Sequence, residues 1–150
     1  MQFSAAGLAL VKQWEGCILS AYKDVAGVWT IGYGHTGADV EPGLVWTQAE
    51  ADAALARELA QFGEGVRQLV GNAPLTDNQF SALTIFAFNI GLGGFRGSLA
   101  LQRTKEGNLP EVPPAMALWN KIHDPHTGRM VVSRGLVNRR NAEIALWNTP

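Results

Sequence analysis

Along most of the chain, apolar residues recur every three or four positions, which is the spacing of amphipathic helices. The first such segment follows Ser4, whose hydroxyl is suited to cap a helix N-terminus. Gly16 is placed to end the segment, because glycine readily adopts the backbone conformation found at helix C-termini. The buried face of this first helix is predicted to consist of Leu8, Val11 and either Leu10 or Trp14.

The spacing changes between residues 18 and about 46, where short strand-like stretches are interrupted by glycines. Apolar and aromatic residues between closely spaced glycines are typical of short strands joined by tight turns. This region is therefore predicted to form a small twisted β-sheet. Its glycines are Gly27, Gly32, Gly34 and Gly37, and the apolar residues between them are Val28, Trp29, Ile31 and Tyr33.

Helical spacing returns after residue 46 and predicts that the rest of the chain is mainly helical. Residues 47–50 (Thr-Gln-Ala-Glu) and 76–79 (Thr-Asp-Asn-Gln) are both capping-box sequences, which mark helix starts. The first predicts an Ala-rich helix that runs to about Val70. The second predicts a helix over 80–90 that ends at Gly91. Because this second helix is apolar all round, it is expected to be the central buried helix.

Shorter elements follow, separated by glycines and prolines. A glycine-rich turn over 91–97 is expected to lead into a short helix over 98–105. Three prolines are then expected to break the chain before a helix over 116–122: Pro110, Pro113 and Pro114. A turn at 124–128 precedes the last helix, which Ser133 starts and which covers 135–147.

These elements predict an α+β fold in a single domain that covers residues 1–150. A small N-terminal β-lobe is expected at about 18–46. A larger helical lobe is expected to comprise about 47–150 and the N-terminal helix, built around the buried central helix. The composition agrees with a globular domain, since 47% of the 150 residues are hydrophobic and 17% are charged.

Charge and targeting signals restrict the classes of partner. The net charge is −1, but residues 1–66 carry 3 basic and 8 acidic side chains, whereas residues 67–150 carry 9 basic and 5 acidic ones. The basic half fits either an anionic partner or solvated helix faces. Nucleic-acid-binding proteins are usually basic overall, whereas this chain is not, so no nucleic-acid partner is expected. Neither a signal peptide nor a transmembrane segment is evident, and a single cysteine excludes an internal disulfide.

Three polar side chains lie close together in the sequence among apolar and aromatic neighbours: Glu15, Asp24 and Thr30. Glu15 ends the first helix, where the helix dipole disfavours negative charge and apolar neighbours help a carboxyl to keep its proton, as a general acid must. Asp24 lies in a predicted turn and is the candidate carboxylate. Thr30 lies on a predicted strand, and its hydroxyl would hold a water molecule if its face of the strand lines the cleft.

Each of these residues also has a structural interpretation. On position alone, a solvent-exposed helix end is the favoured interpretation of Glu15, because most glutamates are surface residues. Asp24 is also compatible with an Asx-turn, and Thr30 with a β-branched strand residue. Taken together, however, a protonated carboxyl, a carboxylate and a group that places water are the requirements of glycoside hydrolysis.

The spacing of Glu15, Asp24 and Thr30, followed by TIGYGHT (30–36), resembles the signature of the phage-type lysozymes, the endolysins of glycoside hydrolase family 24. Three further segments resemble this family in the same order along the chain. They are AFNIGLGGFRGS (87–98), ALWNKI (117–122) and GLVNRRNAE (135–143). Two segments depart from the family pattern, because 107–116 is richer in proline and 123–133 is longer than expected.

The resemblance implies a lysozyme-like fold and a muramidase activity. Glu15 would donate a proton to the glycosidic oxygen between N-acetylmuramic acid and N-acetylglucosamine. Asp24 would stabilise the oxocarbenium ion and, with Thr30, position the attacking water, with inversion at the sugar. Thr36, Phe88 and Asn89 would lie along the sugar-binding cleft. The resemblance implies neither a cofactor nor a metal.

The resemblance also implies the setting in which the protein acts. Its partner would be the glycan strands of peptidoglycan, and it would act as a monomer that causes host cell lysis. It would stay in the host cytoplasm until a holin opens the inner membrane and gives it access to the wall.

Several other polar residues have more than one interpretation. Asn89 would either bind sugar or cap a helix C-terminus. His35 is favoured as a structural residue paired with Glu58 over a metal or acid–base role. Arg139 and Arg140 are favoured as ion-pair partners within the helical lobe over contacts with the anionic wall.

Two alternative functions remain open at this point. A lytic transglycosylase typically uses one Glu and leaves an anhydro-sugar product. A non-catalytic wall-binding module would keep the fold without the reaction. The presence of Asp24 and Thr30 at the family spacing favours water as the acceptor and therefore a hydrolase.

Overall fold

The computed structural model describes residues 1–150, which divide into two compact units. Residues 8–61 form one unit, here called the sheet unit, and residues 1–7 with 62–150 form the other, here called the helical unit. Helices α1 (Ala5–Glu15) and α2 (Gln48–Val70) have residues in both units. The combination of helices with small antiparallel sheets confirms the predicted α+β class. That residues 1–150 act as a single catalytic domain stays a prediction.

The sheet unit contains a three-stranded antiparallel sheet, as the sequence predicts. The strands lie in chain order and are β1 (Ile18–Lys23), β2 (Trp29–Gly32) and β3 (His35–Thr36). Thr30 in the central strand pairs with Tyr22 on one side and with Thr36 on the other. The turn from β2 to β3 contains Gly34, whose φ of 84° lies in the region that favours glycine.

Side-chain caps confirm the predicted helix starts. The hydroxyl of Thr47 accepts from the backbone N–H of Glu50 at 3.1 Å, and Glu50 Oε1 accepts from the N–H of Thr47 at 3.1 Å. This complete capping box opens α2. Ser4 caps α1 in a simpler way, because its hydroxyl accepts from the N–H of Gly7 at 3.0 Å. In α1, Val11 is buried, whereas Leu8, Leu10 and Trp14 are half-buried.

The predicted central helix is α3 (Asp77–Ile90), in the helical unit. Thr76 and Gln79 form its capping box, and Gly91 ends it. Residues 80–87 are all buried, which confirms that α3 supplies the core of this unit. Helix α7 (Arg134–Trp147) packs against α3, and the hydroxyl of Ser133 caps it by accepting from the N–H of Leu136 at 3.3 Å.

The glycine-rich turn predicted over 91–97 is instead a short helix, α4 (Leu92–Arg96). Glycines disfavour a helix, but Phe95 is fully buried and contacts Phe86 edge to face at 6.3 Å between ring centroids. Burial of an aromatic ring outweighs the low helix propensity of two glycines over one turn. The next helix, α5 (Leu99–Lys105), is present as predicted and is capped by Ser98.

The helix predicted over 116–122 is wrong in position. A 3₁₀ turn (Leu109–Glu111) leads directly into α6 (Val112–Ala117), and residues 121–123 form a strand. Pro113 and Pro114 lie in the first turn of α6, where backbone N–H groups need no partner within the helix. The prolines therefore start this helix instead of preceding it.

Strand β4 (Lys121–His123) pairs with β5 (Met130–Val132) as a hairpin. The predicted turn at 124–128 connects them, and Gly128 donates to the carbonyl of Asp124 at 2.8 Å. Among residues 1–150, no helix is long and apolar enough to span a membrane.

Candidate active site

Glu15 is the last residue of α1 and is half-buried. The helix ends there because Gly16 adopts a φ of 62° while its N–H still donates to the carbonyl of Lys12 at 3.1 Å. Gly34 approaches the Glu15 carboxyl closely: a Cβ at position 34 would lie 3.7 Å from Glu15 Oε2. The absence of a side chain at Gly34 therefore leaves space beside the carboxyl of Glu15.

Asp24 lies directly after β1 and is half-buried. Its Oδ1 accepts from the N–H groups of Ala26 and Val28, both at 2.9 Å. These bonds form the Asx-turn that the sequence left open as the structural interpretation. They engage only Oδ1 of the carboxylate, so the Asx-turn and a chemical role for Oδ2 are compatible.

Thr30 lies on the central strand β2 and is only 4% exposed. Its hydroxyl donates to the carbonyl oxygen of Val28 at 2.9 Å. Because the single hydroxyl proton is used in this bond, the oxygen presents only acceptor lone pairs to any further partner. A water molecule at that oxygen would donate one hydrogen to it and so take a defined orientation.

The structure brings Asp24 and Thr30 together through the backbone of Val28. The Val28 carbonyl accepts the Thr30 hydroxyl and also the N–H of Asp24, the latter at 2.9 Å. The sequence gives no sign of this role, because any residue at position 28 supplies the same backbone groups. Glu15, Asp24 and Thr30 all belong to the sheet unit.

A polar network near Glu15 could not be predicted from the sequence. The hydroxyl of Tyr33 donates to Asp52 Oδ1 at 3.0 Å, and Gln48 Nε2 donates to Tyr33 Oη and to Asp52 Oδ1, both at 3.0 Å. Lys12 Nζ lies 3.6 Å from Asp52 Oδ1. Since Lys12 is on α1 and Tyr33 precedes Gly34, the network connects the helix of Glu15 to the turn beside its carboxyl. Burial, followed by the hydrogen bond to Asp52, raises the pKa of Tyr33.

His35 has the structural role predicted for it, with one additional partner. Its Nδ1 hydrogen-bonds to Glu58 Oε1, as predicted, and its Nε2 lies 3.0 Å from Asp39 Oδ2. The ring also stacks on Trp46, with 5.2 Å between the centroids. Burial favours the neutral ring, but the hydrogen bonds to Glu58 and Asp39 together outweigh it and raise the pKa of His35.

The three candidate sugar-binding residues lie in different units. Thr36 is exposed on β3 in the sheet unit. In the helical unit, Phe88 is half-buried with its ring edge to face with Phe62 at 5.1 Å, and Asn89 is exposed. The helix-cap interpretation of Asn89 is wrong, because α3 ends at Gly91.

The favoured structural interpretation of the two arginines is confirmed. Arg140 Nε lies 2.7 Å from Glu143 Oε1, and Arg139 Nε lies 3.6 Å from Glu143 Oε2. Burial raises the pKa of Glu143 to about 7, although Arg140 and Arg139 both oppose the rise. Arg140 also donates to the side-chain oxygen of Asn89, which the sequence did not indicate.

Residues 12–143 match the phage lysozyme family. The chain belongs to this family. It is 42% identical over 151 residues to the endolysin of Bacillus phage PZA, an alignment that covers 99% of this chain and 56% of that protein. It is 36% identical to the endolysin of Acyrthosiphon pisum secondary endosymbiont phage 1, with 99% of each chain covered.

A solved structure gives the same result for the fold. The muramidase domain of SpmX from Asticaccaulis excentricus superposes with a TM-score of 0.90 and 39% identity, and 99% of each chain is covered. The lysozyme-like fold expected from the sequence is therefore confirmed. The chain spans little more than half the length of the Bacillus phage relative.

Proposed function

We propose that this protein is an endolysin muramidase that hydrolyses the β-1,4 bond between N-acetylmuramic acid and N-acetylglucosamine in bacterial peptidoglycan. Membership of the phage lysozyme family supports the substrate class. The arrangement of Asp24 and Thr30 on Val28 is the observation that carries the proposal, because it is suited to orient one water molecule.

Glu15 acts as the general acid that protonates the leaving glycosidic oxygen. It is the half-buried last residue of α1, where Gly16 ends the helix. The space left by Gly34 beside Oε2 admits the substrate oxygen.

Thr30 and Asp24 act on the attacking water. The Thr30 oxygen accepts one hydrogen of the water, since its own proton is held by the Val28 carbonyl. Asp24 Oδ2 stabilises the oxocarbenium-like transition state and takes the second hydrogen as the water attacks. Water that enters opposite the leaving group gives inversion. Thr36, Phe88 and Asn89 are proposed to bind the sugars of the glycan strand.

Two other functions differ from hydrolysis because neither needs the Thr30 hydroxyl to orient a water molecule. A lytic transglycosylase needs no oriented water, because the sugar's own hydroxyl is the nucleophile. A non-catalytic wall-binding module needs neither the water nor the acid. The ordered and buried Thr30 hydroxyl favours hydrolysis over both.

The decisive experiment is mass spectrometry of purified peptidoglycan digested by the protein, by Glu15→Gln and by Glu41→Gln. Glu41 is an exposed carboxylate of the same unit, so its variant is a matched control. Muropeptides with reducing muramic ends are expected from the wild type and the control. Glu15→Gln should lose roughly 10²–10⁴-fold in rate, the usual contribution of general acid catalysis.

The alternative functions give different products. Fragments lighter by one water would identify a transglycosylase and leave Thr30 without its proposed role. A protein that sediments with the wall but never cleaves it would be a binding module.

The cellular setting is proposed together with the activity. The protein acts as a monomeric catalytic domain over residues 1–150, stays in the host cytoplasm, and reaches the wall once a holin opens the inner membrane. Expression in a bacterial host with and without a holin tests this order, since lysis should require both proteins.

A further inference from the structure

Arg140 lies at the centre of a buried polar cluster in the helical unit. Its side chain and that of Glu143 are both 1% exposed. Besides the 2.7 Å ion pair through Nε, Arg140 Nη2 donates to Glu143 Oε2 at 3.0 Å. The guanidinium also lies 5.1 Å from the centroid of the Phe86 ring. An arginine held in this way cannot move without leaving a buried charge uncompensated, so its position is fixed.

The other donors of this guanidinium reach groups on two further segments. Nη2 donates to Asn89 Oδ1 at 2.5 Å, in the last turn of α3. Nη1 donates to the carbonyl of Trp119 at 3.3 Å, just after α6. Arg140 therefore ties the exposed Asn89 side chain to a rigid buried group.

This contact determines which way the Asn89 amide faces. A guanidinium has only donors, so the atom that faces it must be the amide oxygen. The NH₂ group is on the opposite branch of the carboxamide and is directed away from Arg140. Because Asn89 is exposed, these two N–H donors are available to a ligand.

We propose that Arg140 is a positioning residue, which fixes the Asn89 carboxamide so that its N–H donors bind the acetamido carbonyl oxygen of an N-acetylated sugar. The inference rests on the proposed function, which assigns Asn89 to sugar binding. An asparagine without this contact would also adopt the flipped orientation of its amide. Its side-chain oxygen would then face the sugar carbonyl, and two hydrogen-bond acceptors cannot bind each other. Among the uncharged groups of an amino-sugar strand, the amide carbonyl is the strongest hydrogen-bond acceptor.

The first test is Asn89→Asp, which keeps an oxygen for Arg140 and removes both N–H donors. The thermal midpoint should not fall, since the bond to Arg140 becomes charge-assisted. KM for soluble glycan strands should rise roughly 3- to 10-fold, the usual effect of one lost hydrogen bond, with kcat nearly unchanged. A purely structural Asn89 would leave KM unchanged, which would overturn the proposal.

The new negative charge in Asn89→Asp is controlled with salt. The kinetics are repeated at about 50 and about 300 mM NaCl, because salt screens exposed charges. The KM increase should persist at both concentrations. An increase that disappears at the higher concentration would show charge repulsion and not donor loss, and the proposal would fail.

The second test releases Asn89 without changing it. The double variant Arg140→Met with Glu143→Met removes both buried charges together, a replacement that folded proteins often tolerate. KM should rise by a similar factor, and adding Asn89→Asp should raise it no further, because both changes disable the same donor. The matched control is Arg103→Met with Glu106→Met, an ion pair with the same spacing on the chain that is far more exposed, which should leave KM unchanged. A folded double variant with the wild-type KM would refute the positioning role.

A binding measurement separates this inference from the proposed reaction. The side-chain NH₂ signals of Asn89 are followed by NMR in the wild-type protein while soluble muropeptides are added. A shift of these signals is expected, and its absence would overturn the inference. If the signals shift but no cleavage occurs in the digestion experiment, the hydrolytic function fails while the binding role of Asn89 stands.

Discussion

Asp24 and Thr30 share one acceptor, because the carbonyl oxygen of Val28 receives the N–H of Asp24 and the hydroxyl of Thr30, each at 2.9 Å. The N–H of Val28 in turn donates to Asp24 Oδ1 at 2.9 Å. The carboxylate and the hydroxyl therefore cannot move independently of each other. The relative position of the two groups proposed to act on water is built into the turn between β1 and β2.

Thr30→Val should abolish most of the activity while leaving the fold intact. Valine has nearly the same shape but no oxygen to hold the water, so kcat is expected to fall by roughly 10²-fold or more. The free energy of unfolding should fall by only about 1 kcal/mol, since the Val28 carbonyl keeps its bond from Asp24. Peptidoglycan turnover and urea unfolding measure the two effects.

Thr30→Ser provides the control for that experiment. It restores the hydroxyl and should recover much of the activity. Equal activities for the valine and serine variants would exclude a role for the hydroxyl in the reaction.

Gly34→Ala tests the space beside Glu15. The methyl group would lie 3.7 Å from Oε2, which is ordinary contact, so it fills the space without a clash. Alanine at a φ of 84° should cost roughly 1–2 kcal/mol in the free energy of unfolding. The rate of peptidoglycan cleavage should fall about tenfold or more, because the substrate oxygen loses its place beside the acid.

Gly43→Ala is the control for Gly34→Ala, because it introduces a similar backbone strain. Gly43 has a φ of 87° and no atom within 4 Å of its would-be Cβ. It should lose similar stability but keep its cleavage rate. If both variants lose activity equally, strain and not the space beside Glu15 is responsible.

Elements that depend on nearby residues were predictable from the sequence, and those that depend on distant packing were not. The capping boxes at Thr47 and Thr76 act over four residues, and both helices start where expected. Helix α4 depends on the burial of Phe95 against Phe86, and the strand over 121–123 depends on a partner about ten residues away. Neither signal is present in the local sequence.

The same distinction applies to the candidate site. The spacing of Glu15, Asp24 and Thr30 was visible in the sequence, and so was the pairing of His35 with Glu58. The contribution of Val28 was not, because it is made by backbone atoms. Arg140 as a partner of Asn89 was not visible either, since the two lie 51 positions apart and only the packing of α7 against α3 brings them together.

The contacts of His35 predict a pH-dependent contribution to stability. Its folded pKa is raised above the usual 6.5, so its stabilising effect is complete below about pH 6.5 and is lost as pH rises through the folded pKa. The hydrogen bond to His35 lowers the pKa of Asp39. The contribution of the Asp39 carboxylate to stability is therefore lost only in acid, as pH falls through this lowered pKa. His35→Gln should therefore differ most from the wild type at about pH 5–6 and least above about pH 8.

Urea unfolding of both proteins across this range measures the difference. His35→Gln also loses the stack on Trp46, which adds to its loss of stability at every pH. Glu58→Gln keeps the stack and the contact with Asp39, so it should show only the part of the pH dependence that is due to Glu58. A difference between wild type and His35→Gln that is constant from about pH 5 to pH 9 would contradict this assignment.

Removing Arg140 alone should destabilise the protein more than removing it together with Glu143. In Arg140→Met, Glu143 stays buried without its main counter-charge, which typically costs about 3–5 kcal/mol near neutral pH. The pKa of Glu143 is already raised by burial, and loss of Arg140 raises it further, so the variant gains stability as the carboxyl takes up its proton in acid. Arg140→Met should thus be less stable at about pH 8 than at about pH 5, whereas the double variant Arg140→Met with Glu143→Met should lack this dependence. Denaturant unfolding of both variants at the two pH values tests the prediction. Equal free energies of unfolding for the single and the double variant at about pH 8 would contradict the expected cost of leaving Glu143 buried without Arg140.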